Sequence, residues 1–179
     1  MGDNSYLYMS QVDFYGADNT QGTVEIFLKK RMQKAIPFQT PLPAIFGVIP
    51  YSSGPMGFGR ALEAYWSDGV TGNGGLQFEV NDSNGIAHFC NDPGWDDVPM
   101  DRFVHVAFVW DLKGIDGSAD KLRIYRKGEV VCSNADAFDA LKLDDAPVPV
   151  LGNHAYSRLT HPALIADEIY VWDQAITKF

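Results

Sequence analysis

Positive charge is scarce in this chain of 179 residues: Lys and Arg number 14 against 23 Asp and Glu, a formal net charge of −9. Sequence-independent nucleic-acid binding needs many cationic contacts to phosphate, and docking on an anionic membrane surface needs the same sign. Both classes are therefore poor fits. Long apolar runs are missing, and none approaches the roughly 18 residues of a membrane span. The opening residues Met1-Gly2-Asp3-Asn4-Ser5 hold neither a basic nor an apolar stretch, so they do not read as a signal peptide. Cysteine is down to two, Cys90 and Cys132. The expected state is two buried free thiols. One disulfide is the alternative, because sequence cannot place the two Cα atoms within bridging distance. Helical periodicity is nearly absent; the one stretch of suitable composition, residues 135–142, is short and reads as a turn of helix or a loop. Without crossover helices a parallel βαβ architecture is excluded.

What is present is ordinary globular composition, 46% hydrophobic and 21% charged, which rules out wholesale disorder. Aromatics reach 13%, and 17 Gly and 10 Pro punctuate the chain. Strand patterns recur between them. Residues 23–29 (TVEIFLK) place Val24, Ile26 and Leu28 on one face. Residues 44–49 (AIFGVI) form a continuous apolar run, and 61–66 (ALEAYW) and 76–80 (LQFEV) follow. Asn84-Gly85 predicts a two-residue hairpin turn into 86–89. Residues 103–110 (FVHVAFVW) give the longest strand signal, a second hairpin spans 122–132 around Arg126-Lys127-Gly128-Glu129, and 148–151 and 163–172 close the series. The prolines of residues 37–43 read as an irregular connection. The outcome is an all-β fold, an antiparallel two-sheet β-sandwich, as one domain over residues 1–179.

Three segments in order carry a family resemblance. Residues 22–29 (GTVEIFLK) resemble the opening "GTIEFWVK" strand of laminin G-like domains. Residues 102–111 (RFVHVAFVWD) with 122–131 (LRIYRKGEVV) resemble their "W-x-HVAxxxD … LxxYxNGxxV" block. Leu151-Gly152-Asn153 with 166–177 (ADEIYVWDQAIT) resembles their closing "IGN … xDEVRIYNRALS". Phe103 stands where the family has Trp, Arg126-Lys127-Gly128 where it has Asn-Gly, and residues 1–21 match loosely. The resemblance implies the jelly roll of the concanavalin A-like lectin/glucanase superfamily. Tyr125 and Tyr170 are expected to fill the gap between sheets, and His105 to be a packed, hydrogen-bonded strand residue.

The resemblance raises catalysis as a question. Retaining glucanases of this fold carry an E-x-D-x-x-E strand, since their chemistry needs two carboxyls about 5 Å apart. No such run exists here: Glu25, Glu63, Glu79, Glu129 and Glu168 are isolated. The four His show no metal spacing, and no G-x-S-x-G elbow, H-E-x-x-H or C-x-x-C occurs. The expectation is a chain that is not an enzyme.

The resemblance also implies a structural calcium ion, held by the Asp of the closing motif, Asp167, and by an early loop in which Asp13, Gly16 and Asp18 are candidates. An aspartate in a buried last strand would otherwise need strong compensation. Sugars stack on aromatic faces while polar groups take their hydroxyls. The polar, Gly-rich segments around Tyr51, Tyr65-Trp66 and Trp95-Asp96 suit that, so Trp95, Trp66, Tyr65 and Asp96 are the expected ligand residues; Trp110 and Trp172 are expected in the core. Asn81-Asp82-Ser83 is a glycosylation sequon. Together these point to a non-catalytic carbohydrate-binding or adhesion module, extracellular or surface-exposed, with a glycan or a cell-surface protein as partner. One alternative is an assembly protein of a virion, phage tail or filament, as a homo-oligomer or part of a larger assembly; a second is a glycan-active enzyme.

Overall fold

A computed structural model describes residues 7–8, 20–31, 44–49, 62–67, 74–138, 141, 148–151 and 164–179. Eleven strands run through them: β1 (Leu7–Tyr8), β2 (Gln21–Lys30), β3 (Ala44–Ile49), β4 (Leu62–Ser67), β5 (Gly75–Asn81), β6 (Ala87–Asp92), β7 (Val104–Asp111), β8 (Leu122–Arg126), β9 (Glu129–Asn134), β10 (Val148–Leu151) and β11 (Leu164–Trp172). Two antiparallel sheets result, a six-stranded one in the order β1-β10-β3-β4-β5-β6 and a five-stranded one in the order β11-β2-β7-β8-β9. The prolines of residues 37–43 lie outside the described residues.

Period-two alternation builds the space between the sheets. Val24, Ile26 and Leu28 of β2, Val104, Val106 and Phe108 of β7, and Leu76, Phe78 and Val80 of β5 all point inward and are buried. Phe46, Phe78, Phe108 and Trp110 interlock with centroids 5.3–6.4 Å apart. Gly22 is required by this contact, because a Cβ there would fall 2.3 Å from the Trp110 ring.

One hairpin turn differs from expectation in an instructive way and the other forms where expected. At Asn84-Gly85 the hydrogen-bonded pair is Asp82 and Ile86, so the loop has three residues and only Gly85 has positive φ, 78°. The Asp82 carboxylate explains the longer loop: its Oδ1 accepts from Asn84 N at 2.9 Å and Ile86 N at 2.8 Å. The second hairpin turns where expected, through the two residues Lys127-Gly128, both with positive φ (55° and 81°), between the partners Arg126 and Glu129. Residues 135–138 form no helix; the chain there is a loop that buries Phe138.

The cysteines are not free. Cys90 of β6 and Cys132 of β9 form a disulfide with Cα atoms 5.8 Å apart. The sequence could not show that these are edge strands of opposite sheets meeting on one side of the sandwich, so the bridge ties the two layers together. The C-terminal residues cross the outer face of the five-stranded sheet as a strap. Buried Thr23 pins it, its Oγ1 donating to Gln174 O at 2.7 Å and accepting from Ile176 N at 2.9 Å. Phe179 ends against Tyr125 and His105.

Candidate functional site

The two tryptophans expected to face a ligand do not. Trp66 and Trp95 are both 0% exposed. Trp66 shares the inward face of β4 with Leu62 and Ala64. Trp95 lies in a short 3-10 turn, Pro93–Asp97, that folds its ring into the core. Asp96 serves this buried cluster rather than a solvent-facing one: its Oδ1 accepts from Trp66 Nε1 at 2.8 Å. The cluster encloses Lys30, whose Nζ donates to Asp96 O at 2.7 Å and Trp95 O at 3.3 Å and lies 5.3 Å from the Trp66 ring centroid. Burial pulls the Lys30 pKa down, opposed by Asp96 and Asp97. Asp92 beside it is buried too. Arg126 Nε stands 3.1 Å from its Oδ2 without an aligned hydrogen bond, and Arg126 Nη1 donates to Gly94 O at 2.9 Å. Burial pushes the Asp92 pKa up, with Arg126 and the Gly94 N–H acting the other way and Asp96 adding to the rise.

Tyr65 falls elsewhere, on the outer face of the six-stranded sheet. There β4, β5 and β6 lay side chains in cross-strand rows: Tyr65, Gln77 and Asn91 in one, Glu63, Glu79 and Phe89 in the next. An outer face of this polarity would ordinarily be wet. Instead Glu63 is 3%, Tyr65 6% and Gln77 7% exposed. Tyr65 Oη donates to Glu79 Oε2 at 3.3 Å and Asn81 Nδ2 to Glu79 Oε1 at 2.8 Å, so the sequon asparagine is engaged. The Gln77 side chain makes no hydrogen bond among the described residues. Two glutamates that look isolated in sequence are thus direct neighbours, which a period-two reading of both strands could have found only with their register known. Chemically the row offers amide, hydroxyl and carboxylate groups beside an aromatic ring, the set that recognises a polyhydroxyl ligand.

Asp167 is exposed on β11, its Oδ1 accepting from Glu168 N at 3.0 Å. The expected burial of that strand does not hold, so burial gives no reason for a metal there. Asp13, Gly16 and Asp18 lie outside the described residues, as do Tyr51 and its neighbours. Among the described residues no group of three His, Cys, Asp or Glu is placed to hold an ion.

The sequence reading also missed the aromatic face of the five-stranded sheet. A bulge at Glu168 (φ 47°) puts one extra residue between the pairs Asp167–Phe27 and Tyr170–Glu25. Every side chain beyond it changes face, so Ile169 and Val171 pack on the core while Tyr170 and Trp172, both expected inside, emerge 47% and 44% exposed. Tyr125 also lies outside the sheet gap, on the outer face beneath the strap. His105 is packed and bonded: its Nε2 is 2.9 Å from Glu25 Oε2 and its ring 5.1 Å from that of Phe27.

Residues 4–178 match a laminin G family model described as the concanavalin A-like lectin/glucanases superfamily. The chain belongs to that superfamily. No curated protein matches it in sequence. Of the solved structures, 131 chains match. The ligand binding domain of botulinum neurotoxin serotype D, in complex with N-acetylneuraminic acid, has 13% identity and a TM-score of 0.59, over 87% of this chain and 34% of that one. The K499G mutant of NanB sialidase from Streptococcus pneumoniae has 18% identity and a TM-score of 0.68, over 98% of this chain and 25% of that one. The receptor binding domain of the botulinum neurotoxin C/D mosaic serotype has 13% identity and a TM-score of 0.63, over 96% and 37%. This concanavalin A-like chain therefore spans about a quarter to a third of the chains it resembles, and at these identities the likeness is one of fold. No helix among the described residues is long and apolar enough to cross a membrane.

Proposed function

We propose that this chain is a non-catalytic carbohydrate-binding module whose ligand lies on the outer face of the six-stranded sheet, over Tyr65, Gln77 and Glu79. The observation that carries the reading is the pairing of Tyr65 with Gln77, next to Glu79, on this polar face, where the Gln77 side-chain amide makes no hydrogen bond among the described residues. A sugar hydroxyl placed there would give that amide a hydrogen bond of about 0.5–1.5 kcal/mol net. Membership of a lectin superfamily and the sialic acid complex of one structural neighbour support the same reading. The disulfide supports an oxidising, extracellular setting. Calcium at Asp167 with Asp13 and Gly16 is a separate proposal that rests on the family resemblance.

A glycan array followed by titration of its best ligand tests the module. Gln77→Ala and Tyr65→Phe should each weaken binding about tenfold, the equivalent of one lost hydrogen bond of about 1.4 kcal/mol, with melting temperature little changed. A silent array, or affinity unmoved in both variants, overturns it.

One observation favours a second reading. Glu63 and Glu79 are cross-strand partners, a placement that sets Cβ atoms about 5 Å apart and suits a retaining glycosidase pair. Both oxygens of Glu79 are already held by Tyr65 and Asn81, which fits a ligand-orienting carboxylate better than a reacting one. Turnover of an array glycan, lost in Glu79→Gln, would establish the enzyme instead.

A further inference from the structure

We infer a second carbohydrate site on the opposite side of the sandwich, a stacking platform for an uncharged pyranose formed by Tyr170 and Trp172. It extends the carbohydrate reading to a new surface and shares no residue with the first site. The two rings are one strand repeat apart on the outer face of β11, with centroids at 6.4 Å and planes inclined by only 23°. Each is nearly half exposed, although the C-terminal strap covers the neighbouring strands by way of Thr23 and Tyr125.

The platform is braced in advance. Trp172 Nε1 donates to Glu25 Oε1, and Glu25 Oε2 is held 2.9 Å from His105 Nε2. His105 is in turn wedged between Phe27 and Phe179. An indole fixed through a carboxylate and an imidazole loses little freedom when a ligand stacks on it, and such pre-organisation is a main source of affinity for small ligands. Nothing in the bulged strand's packing needs this chain of contacts, since its inward face is made by Ile169 and Val171.

Charge selects the ligand class. Three nearby charged groups are already occupied: Glu25 by Trp172 and His105, Asp167 by the Glu168 N–H, and Lys29 by the Phe103 ring at 5.9 Å. The exposed carboxylates Glu168 and Asp173 flank the rings along the chain and disfavour a carboxylate or sulfate ligand, and titration with choline decides whether they favour an ammonium instead. The two near-parallel rings fit an apolar sugar face stacked across them.

The molecule carries its own reporter, because Trp66, Trp95 and Trp110 are at most 3% exposed and Trp172 is 44% exposed. The full chain would be titrated with cellohexaose, xylohexaose and mannohexaose, with choline and sialyllactose as charged comparisons. At least one neutral hexasaccharide should shield Trp172 from acrylamide quenching in a saturable way. Calorimetric affinity for it should fall about tenfold or more in Trp172→Ala and in Tyr170→Ala, and stay unchanged in Gln77→Ala. Near-ultraviolet dichroism from the three buried indoles checks that both variants fold. No response to any of the three overturns the platform, as does binding lost only in Gln77→Ala, which would leave the first site standing. A response to choline alone, or a dimer in light scattering that Trp172→Ala abolishes, overturns it in favour of a cation or of self-association.

Discussion

Lys30 and Asp92 place two ionisable groups in the interior at one end of the sandwich, and each bends its proton equilibrium towards the neutral form. The signs run oppositely. The Asp92 pKa is raised above 3.8, so the folded state holds that proton more tightly, and its contribution to stability falls as pH rises from about 3.8 through the raised value. The Lys30 pKa is lowered below 10.5, so the folded state releases that proton first, and stability climbs with pH in the alkaline range below 10.5. The prediction concerns Asp92: the unfolding free energy of wild type minus that of Asp92→Asn should decline as pH is raised from about 4 towards neutrality. Urea melts at a series of pH values check this, and a flat difference would refute the assignment. The same cluster explains why Trp66 and Trp95 misled. Polar neighbours in sequence suggested a wet loop, yet alternation already set Trp66 on the face of Leu62 and Ala64. Trp95 carried no such signal, because a single 3-10 turn has no period to read.

Strands were legible because their alternation is written locally; what joins or interrupts them is not. Asn84-Gly85 is the stronger turn dipeptide, yet Asp82 two residues earlier captures two amides and lengthens the loop. The bulge at Glu168 has no composition of its own, and it alone moves Tyr170 and Trp172 from core to surface. The disulfide depends on strand order, which local pattern does not contain. Its effect can be sized from the sequence separation of 42 residues: closing such a loop restricts the unfolded chain by about 4 kcal/mol in the chain-entropy account. Reduction, or Cys90→Ser with Cys132→Ser, should therefore lower the urea midpoint by that amount divided by the m-value, by unfastening β6 from β9. A midpoint unchanged by reductant would mean that the two sheets need no covalent tie.

At the scale of the whole molecule, the two sheets divide the work. Apart from Lys30 and Asp92 at one end, their shared interior is aromatic and aliphatic, and the chemistry of the outward faces differs: polar and withdrawn on one, aromatic and open on the other. Calcium, if bound, acts on both at once, because a ligand that binds only the folded chain stabilises all of it by mass action. Asp167 is a fair test point, since its exposed side chain makes few contacts that substitution would disturb. At a hundredfold excess over Kd, calcium would add about 2.7 kcal/mol, which for a chain of this size is a rise of roughly 5–10 °C in Tm. Metal-stripped protein should show that rise on adding millimolar calcium, and Asp167→Ala should not. An equal rise in both would move the ion to other ligands, and no rise in either would remove calcium from the account of this fold.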